Sequence, residues 1–209
     1  MNDNLYPDVL PENQLQLLEA LSFQPFIPDF YLAGGTCLAL QIGHRRSIDF
    51  DFFIPADFDT SVIVNKLTLM GSYQRDSEGK NTINGTLNGV RISFFGYRYD
   101  IIDDFKIFNK IRLAGLKDIA AMKLEAIAGR GSKKDFIDMF FLLKRYTLEE
   151  IFTFHTRKYG TGLSNQYHLL KSLVYFADAE AEAMPVMINR LDWDDVKKQI
   201  VSCARQFRL

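Results

Sequence analysis

The stretch that decides the fold is residues 30–54, which read FYLAGGTCLALQIGHRRSIDFDFFI. Its apolar start predicts a short buried strand over residues 30–33, and the pair Gly34 and Gly35 interrupts that strand. Residues 36–42 then have the composition of a helix that begins at this glycine turn. A helix start presents unpaired backbone N–H groups and the positive end of a dipole, so the turn predicts a place where an anion can bind.

The second half of the stretch alternates acidic and bulky apolar residues over residues 47–54, which is the period of a strand. Asp49 and Asp51 are two residues apart, so both carboxylates leave one face of the strand while Phe50 and Phe52 leave the other. Two carboxylates with Cα atoms about 7 Å apart can hold Mg²⁺ together with phosphate oxygens. Taken alone, the pattern also fits an edge strand whose acids face water.

Composition restricts the class of protein. The 209 residues are 47% hydrophobic and 24% charged, and they include 18 Phe and 9 Tyr, which is ample material for a packed core. The chain has no apolar run of membrane-spanning length and no signal-peptide pattern, so we expect a cytoplasmic protein without a membrane segment. Cys37 and Cys203 are too few and too far apart in sequence to predict a disulfide framework or a cysteine metal site.

The net charge of −1 conceals an uneven distribution along the chain. Residues 1–60 carry nine acids against Arg45 and Arg46, whereas residues 106–134 carry eight Lys or Arg against two acids. An acidic part and a basic part suit a site for a metal ion and a polyphosphate. Two solvated faces would explain the same counts.

Beyond the deciding stretch, the sequence predicts an α/β (α+β) protein: a small mixed sheet with flanking helices, followed by a C-terminal helical bundle. Turn residues at 78–79, 84–85 and 88–89 separate short β-prone runs, and the last of these turns predicts a hairpin. The helices are predicted over residues 15–23, 59–69, 116–129, 133–145, 148–158, 165–182 and 193–206. We expect an α/β core domain over residues 1–112 and a helical domain over residues 113–209.

Two blocks of the sequence resemble a known family. The first consists of Gly34-Gly35-Thr36-Cys37-Leu38-Ala39-Leu40, Gly43-His44-Arg45-Arg46-Ser47 and Asp49-Phe50-Asp51-Phe52-Phe53. The second is LKDIAAMKLEAIAGR over residues 116–130, followed by KKDFID over residues 133–138. With the strands between them these blocks cover about residues 30–145, and they resemble the AbiEii/AbiGii toxin-type nucleotidyltransferases of the polymerase β-like superfamily.

The resemblance implies an enzyme that moves an NMP from an NTP substrate to an acceptor hydroxyl, with Mg²⁺ or Mn²⁺ as cofactor. It also implies the toxin of a type IV toxin–antitoxin system, with a cognate antitoxin as partner and a tRNA end or another RNA as acceptor. The helical domain would complete the nucleotide site. Two alternatives stay open: a small-molecule nucleotidyltransferase of the aminoglycoside type, and a non-catalytic nucleotide-binding module.

The candidate site residues come from both blocks. The candidate catalytic residues are Asp49, Asp51, Lys123, Asp135 and Asp138, of which Asp49 and Asp51 are the metal ligands. The candidate nucleotide-binding residues are Gly34, Gly35, Thr36, Arg46, Lys123 and Arg130.

Three of these residues also have simpler explanations. Lys123 falls in the middle of an apolar helix face, where an ammonium is costly unless it reaches solvent or meets an anion such as phosphate. Asp135 follows Ser132 at the spacing of a capping box. Arg46 could form a structural salt bridge instead of a phosphate contact.

One position departs from the family pattern. Many members of the superfamily carry a third carboxylate on a following strand, but the corresponding residue here is Ser93. We expect that a metal ion activating the acceptor would be less well ligated in this chain, which makes the non-catalytic alternative credible.

Overall fold

The computed structural model describes residues 5–162 and 165–208. These residues form two compact units. The first unit comprises the described part of Met1–Tyr99 together with Phe105–Ala114, and the second comprises Asp100–Asp104 and the described part of Gly115–Leu209. The chain therefore contributes a short segment to the second unit before it completes the first.

The first unit is built on one mixed sheet, as expected for an α/β protein. Its strands are β1 (Tyr31–Ala33), β2 (Phe50–Ile54), β3 (Tyr73–Gly79), β4 (Thr82–Leu87), β5 (Val90–Gly96), β6 (Lys106–Phe108) and β7 (Ile111–Leu113). They lie in the order β3-β4-β5-β2-β1-β7-β6. The helices are α1 (Glu12–Ser22), α2 (Gly34–Ile42) and α3 (Thr60–Met70), with short 3₁₀ turns at Pro7–Val9 and Ile27–Asp29.

Strand β2 is central to this sheet, antiparallel to β1 and parallel to β5. Phe50 and Phe52 on β2 are fully buried, and Phe52 stacks on Phe94 of β5 with ring centroids 5.2 Å apart. Burial of such a side chain contributes about 2–3 kcal/mol each. The alternate residues Asp51 and Ser93 are half-buried on the opposite side, which we call the open face of the sheet.

The predicted hairpin at residues 88–89 is confirmed. Asn88 and Gly89 have φ values of 50° and 82° and join β4 to β5, which is the backbone of a two-residue turn of type I′. The predicted turn at residues 84–85 is wrong, because both residues lie inside β4. Gly85 serves packing instead: a Cβ there would lie 2.7 Å from the ring of Tyr73 on the neighbouring strand.

The second unit is helical, as predicted. Its helices are α4 (Leu116–Arg130), α5 (Lys133–Leu142), α6 (Leu148–Tyr159), α7 (Gln166–Leu173), α8 (Ala177–Glu180) and α9 (Trp193–Gln206). The single helix predicted over residues 165–182 is wrong, since α7 and α8 are separate. Between them Phe176 turns into an aromatic cluster, with its ring centroid 4.9 Å from Phe136 and 5.8 Å from Trp193. This tertiary packing outweighs the local helical pattern.

A buried ion pair holds residues 100–104 in the second unit. Lys158 and Asp118 are both completely buried, with 2.6 Å between Nζ and Oδ1. The Asp118 carboxylate also accepts hydrogen bonds from the backbone N–H groups of Ile102 and Asp103, and Lys158 donates to the carbonyl oxygen of Asp100. The pair is stable where it lies because its remaining hydrogen-bonding capacity is satisfied by backbone.

The composition predicts neither a disulfide framework nor a membrane segment. Cys37 and Cys203 are both free cysteines. Among the residues that the structure describes, no helix combines the length and the apolar character needed to cross a membrane.

Candidate active site

The structure brings the glycine turn and the acidic strand together. Helix α2 begins at Gly34 directly after β1, and Gly34 has a φ of 71°, which L side chains rarely adopt. A Cβ on Gly34 would lie 2.8 Å from Oδ2 of Asp51. The Asp51 carboxylate therefore lies against the first residue of the helix, and only glycine permits this approach.

The N-cap residue of α2 supplies no side-chain cap. The N-cap residue is Ala33, whose methyl group cannot accept a hydrogen bond. The first N–H groups of a helix lack partners within the helix, and the dipole makes this end positive. The backbone N–H groups of Gly34, Gly35 and Thr36 thus present a favourable place for an anion. A phosphate whose cation is held by Asp51 would be such an anion.

The hydroxyl of Thr36 has a structural role. Thr36 is 1% exposed, and its hydroxyl donates to the carbonyl oxygen of Asp49 and lies 2.9 Å from Oγ of Ser47. Because a hydroxyl has one hydrogen, Thr36 donates to Asp49 and accepts from Ser47. The prediction that Thr36 binds phosphate consequently depends on its backbone N–H alone.

Arg45 is a residue that the sequence prediction missed. Its guanidinium packs against Gly35, where a Cβ would lie 3.4 Å from Cζ, and the residue is 3% exposed. Its Nη1 donates to the carbonyl oxygen of Arg46, 3.1 Å away. Arg46, the predicted nucleotide-binding residue, is exposed. The signal that could have identified Arg45 is Gly35, since a second glycine at a helix start indicates a close neighbour.

The metal-ligand candidates have a sparse donor set. Asp49 immediately precedes β2 and Asp51 lies within it, and both are half-buried. Ser93 is the partner of Asp51 in the parallel ladder between β2 and β5. In the described ranges, no cluster of three or more His, Cys, Asp or Glu side chains could enclose a metal ion. Two carboxylates still fit Mg²⁺, which accepts one or two protein ligands and completes its shell with water and phosphate oxygens.

The candidate residues of the second unit form a buried ionic cluster. Lys123 Nζ lies 2.8 Å from Oδ1 of Asp135 and 2.6 Å from Oδ2 of Asp138. Arg130 donates to both carboxylate oxygens of Asp135, at 2.7 and 3.0 Å. The two aspartate side chains are fully buried, and Arg130 is the member that reaches solvent, with 58% of its side chain exposed.

This cluster gives Lys123 and Asp135 ionic partners within their own unit. Lys123 neither reaches solvent nor needs an external anion to be compensated, because two carboxylates of its own unit meet it. The predicted capping box is wrong, since Asp135 pairs with the two cations and does not cap. Ser132 Oγ and the backbone N–H of Lys133 bind the carboxylate of Glu182 instead.

The charge state of Asp135 follows from these contacts. Burial alone would raise the pKa of its carboxyl group, but Lys123 and Arg130 outweigh burial and hold the pKa below the ordinary value of 3.8. Asp135 is therefore ionised at neutral pH. Contact of Lys123 with phosphate stays a prediction, as does a nucleotide site completed by the helical unit.

This chain is similar to a known family and to a protein of another organism. The model of the family described as nucleotidyl transferase AbiEii toxin, type IV TA system, matches residues 16–103. An uncharacterized protein of Aquifex aeolicus is 40% identical over 179 residues, which is 83% of this chain and 86% of that protein.

Two solved structures share the fold. The structure of JHP933 from Helicobacter pylori superimposes with a TM-score of 0.56 at 16% identity, covering 94% of this chain and 92% of that chain. The structure of MenT4, a nucleotidyltransferase toxin from Mycobacterium tuberculosis, superimposes with a TM-score of 0.54 at 15% identity, covering 91% and 80%.

Proposed function

This chain belongs to the AbiEii nucleotidyltransferase toxin family of type IV toxin–antitoxin systems, and we propose that it transfers an NMP from an NTP to a hydroxyl group at an RNA end in a Mg²⁺-dependent reaction. Transferase activity and the toxin–antitoxin class follow from the family. The cation, the acceptor and the cognate antitoxin are the proposed parts. A tRNA end is the acceptor that we propose to test first.

The observation that carries the proposal is the contact of Asp51 with Gly34 at the start of α2. This contact supports the proposal because a carboxylate can hold a cation and the N–H groups of a helix start can hold phosphate oxygens, which are the two kinds of group that phosphoryl transfer requires. A Mg²⁺ ion held by Asp49 and Asp51 would supply charge neutralisation at the triphosphate. The N–H groups of Gly34 and Gly35 would orient the phosphates.

The reaction is an in-line substitution at the α-phosphorus. The acceptor oxygen forms a bond to this phosphorus, and the bond to the bridging oxygen breaks. Pyrophosphate leaves with the bonding electrons, and the hydroxyl proton passes to solvent. The protein contributes mainly positioning and electrostatic stabilisation, as in other phosphoryl transfers.

The cluster in the helical unit has a supporting part in this proposal. Asp135 and Asp138 are completely buried, so we assign them as positioning residues that hold Lys123 and Arg130. Arg130, which is half-exposed and held by two hydrogen bonds, is the member suited to neutralise phosphate.

A non-catalytic nucleotide-binding module is the second candidate. Ser93 favours it, because Ser93 is the ladder partner of Asp51 where a third carboxylate would complete a two-metal site. A small-molecule nucleotidyltransferase is the third candidate and differs only in the acceptor.

Label transfer tests the three candidates. Each NTP labelled at the α-phosphorus is incubated with bulk tRNA or with an aminoglycoside, with Mg²⁺ or with a chelator. We expect label on tRNA with Mg²⁺ only, and about 100-fold or greater loss in Asp51→Asn. Asp76→Asn, which removes an exposed acid of the same unit, is the matched control and should transfer normally. Label on the aminoglycoside alone would support the third candidate, and NTP binding without transfer would support the second.

A further inference from the structure

A row of polar side chains crosses the open face of the sheet from Asp51. Asp51 pairs with Ser93, Ser93 pairs with Asn84, and Asn84 pairs with Ser77 on successive strands. We call Ser93, Asn84 and Ser77 the polar strip. Since neighbouring strands are about 4.8 Å apart, the strip extends about 14 Å from the carboxylate. The Asn84 side-chain amide donates to Oγ of Ser77 at 3.0 Å.

A half-exposed sheet face accounts for polar residues in general, but sheet stability does not explain the choice of Asn at position 84. Asn is depleted in strands because its side chain competes with the backbone and packs poorly on a pleated surface, yet Asn84 lies in the interior of β4. The ladder between β3 and β4 is irregular between Arg75 and Ser77, and this irregularity brings Ser77 opposite Asn84. Bulges of this kind are frequent next to active sites, where they redirect a side chain.

Strand β5 carries three different chemistries on the same face. Arg91 is exposed, while Ser93 and Phe95 are half-buried, and successive members of this series are two residues apart. Along a strand this spacing is about 7 Å. From Arg91 to Phe95 the strand presents a cation, a hydroxyl group and an aromatic ring. One nucleotide presents the matching groups in the same order: phosphate, ribose and base. Aromatic rings bind bases by stacking, and an exposed Arg binds a phosphate.

The position of the strip on one side of Asp51 indicates which nucleotide it receives. Strand β2 lies between β1 and β5, so Gly34 lies on one side of Asp51 and Ser93 on the other. In an in-line substitution the attacking oxygen and the leaving pyrophosphate occupy opposite sides of the phosphorus. If the phosphates of the NTP bind at the helix start beside Gly34, the acceptor therefore approaches from the Ser93 side.

We propose that the open face of β5 binds the terminal nucleotide of an RNA acceptor, with phosphate at Arg91, ribose hydroxyls at Ser93 and Asn84, and the base on Phe95. The inference rests on the proposed function and deepens it, because it names the residues that would hold the RNA acceptor. The polar strip itself contains no acidic side chain, so it suits a ribose and phosphate better than a polycationic small molecule.

Direct RNA binding tests the inference independently of transfer. The probe is an eight-residue oligoribonucleotide with a 5′ fluorophore and a free 3′ end, measured by fluorescence anisotropy. We expect Arg91→Gln, Phe95→Leu and Asn84→Leu each to weaken binding about tenfold. Arg91→Gln should also reduce the slope of log Kd against log salt by about one, since one phosphate contact is lost. Lys80→Gln, at the exposed turn between β3 and β4, is the control and should bind normally.

Steady-state kinetics distinguishes the acceptor from the incoming nucleotide. In the same variants we expect KM for tRNA to rise about tenfold while KM for the NTP stays unchanged. Unchanged RNA affinity in all three variants would overturn the inference, and so would a rise in the KM of the NTP instead of the KM of tRNA. Absence of transfer by the unaltered protein would reject the proposed function, whereas the RNA-binding result would still decide the inference.

Discussion

The hydroxyl of Thr36 donates a hydrogen bond to the carbonyl oxygen of Asp49, so a buried side chain joins the first turn of α2 to the residue before β2. This bond fixes one metal-ligand candidate to the same helix start that Asp51 contacts. One part of the candidate site is thereby fixed by a hydrogen bond from a buried side chain.

Thr36→Val should destabilise the protein. Valine has the same shape, but it leaves the Asp49 carbonyl oxygen and the Ser47 hydroxyl without their partner, which costs about 1–3 kcal/mol in free energy of unfolding. Urea denaturation measures the change. Thr68→Val, which removes an exposed hydroxyl bonded to the carbonyl oxygen of Val64, is the control and should change stability by less than about 0.5 kcal/mol. Equal losses in free energy of unfolding for the two variants would contradict this structural role of the Thr36 hydroxyl.

Gly34→Ala should weaken metal binding. Alanine at positive φ costs about 1–2 kcal/mol, and its Cβ would in addition displace the Asp51 carboxylate. Gly89→Ala is the control. It also places alanine at a positive φ, but the added Cβ has open space, so only the backbone strain changes. Titration with Mn²⁺ by electron paramagnetic resonance should show about tenfold weaker binding in Gly34→Ala only. Parallel behaviour of the two variants would mean that Asp51 does not hold the ion.

The Lys123 cluster gives a pH-dependent prediction. The pKa of Asp135 is lowered in the folded protein, so its contribution to stability is present above the unfolded value of about 3.9 and is lost as pH falls through the folded pKa. In Lys123→Met the buried Asp135 carboxylate loses the buried one of its two cations, which should cost about 3–5 kcal/mol at pH 7. The pKa of Asp135 then rises, and protonation relieves the unpaired charge.

The difference in unfolding free energy between the unaltered protein and Lys123→Met should therefore shrink as pH falls from 7 to about 4. Urea unfolding curves at several pH values measure it. A difference that is constant with pH would show that Lys123 does not stabilise the ionised form of Asp135.

Lys158→Met should also be costly. The variant leaves the fully buried Asp118 carboxylate with backbone N–H donors only, and we expect a loss of about 3–5 kcal/mol by urea denaturation. Adding Asp118→Asn should recover a large part of this loss, because an amide oxygen still accepts the backbone hydrogen bonds and carries no charge. Lys117→Met, which breaks the more exposed pair with Asp103, should cost about 0–1 kcal/mol. No recovery in the double variant would count against the charge explanation.

Ser93→Asp should strengthen cation binding. The new carboxylate would stand beside Asp51 in the parallel ladder and raise the number of candidate charged ligands from two to three. Calorimetric titration with Mn²⁺ should show about tenfold tighter binding, since affinity rises with ligand charge. Asn84→Asp places an acid one strand further away and should have a smaller effect. If both variants bind Mn²⁺ equally, Ser93 does not adjoin the metal site.

The sequence by itself determined the strand, glycine turn and helix at residues 30–42, the alternation around Asp49 and Asp51, and the helical second half. These features follow from local preferences of the chain. They are the spacing of apolar residues, the backbone conformations that only glycine adopts easily, and the residues that end a helix. The motifs in the same segments also determined the family resemblance.

Only the tertiary structure decided which distant groups meet. It gave Lys123 two carboxylate partners, removed Asp135 from a capping role, buried Arg45 against Gly35, and placed Asn84 inside a strand. Such choices depend on burial and on charges brought together from remote segments. Their free energies of several kcal/mol exceed the few tenths that separate local conformations, so local patterns could not predict them.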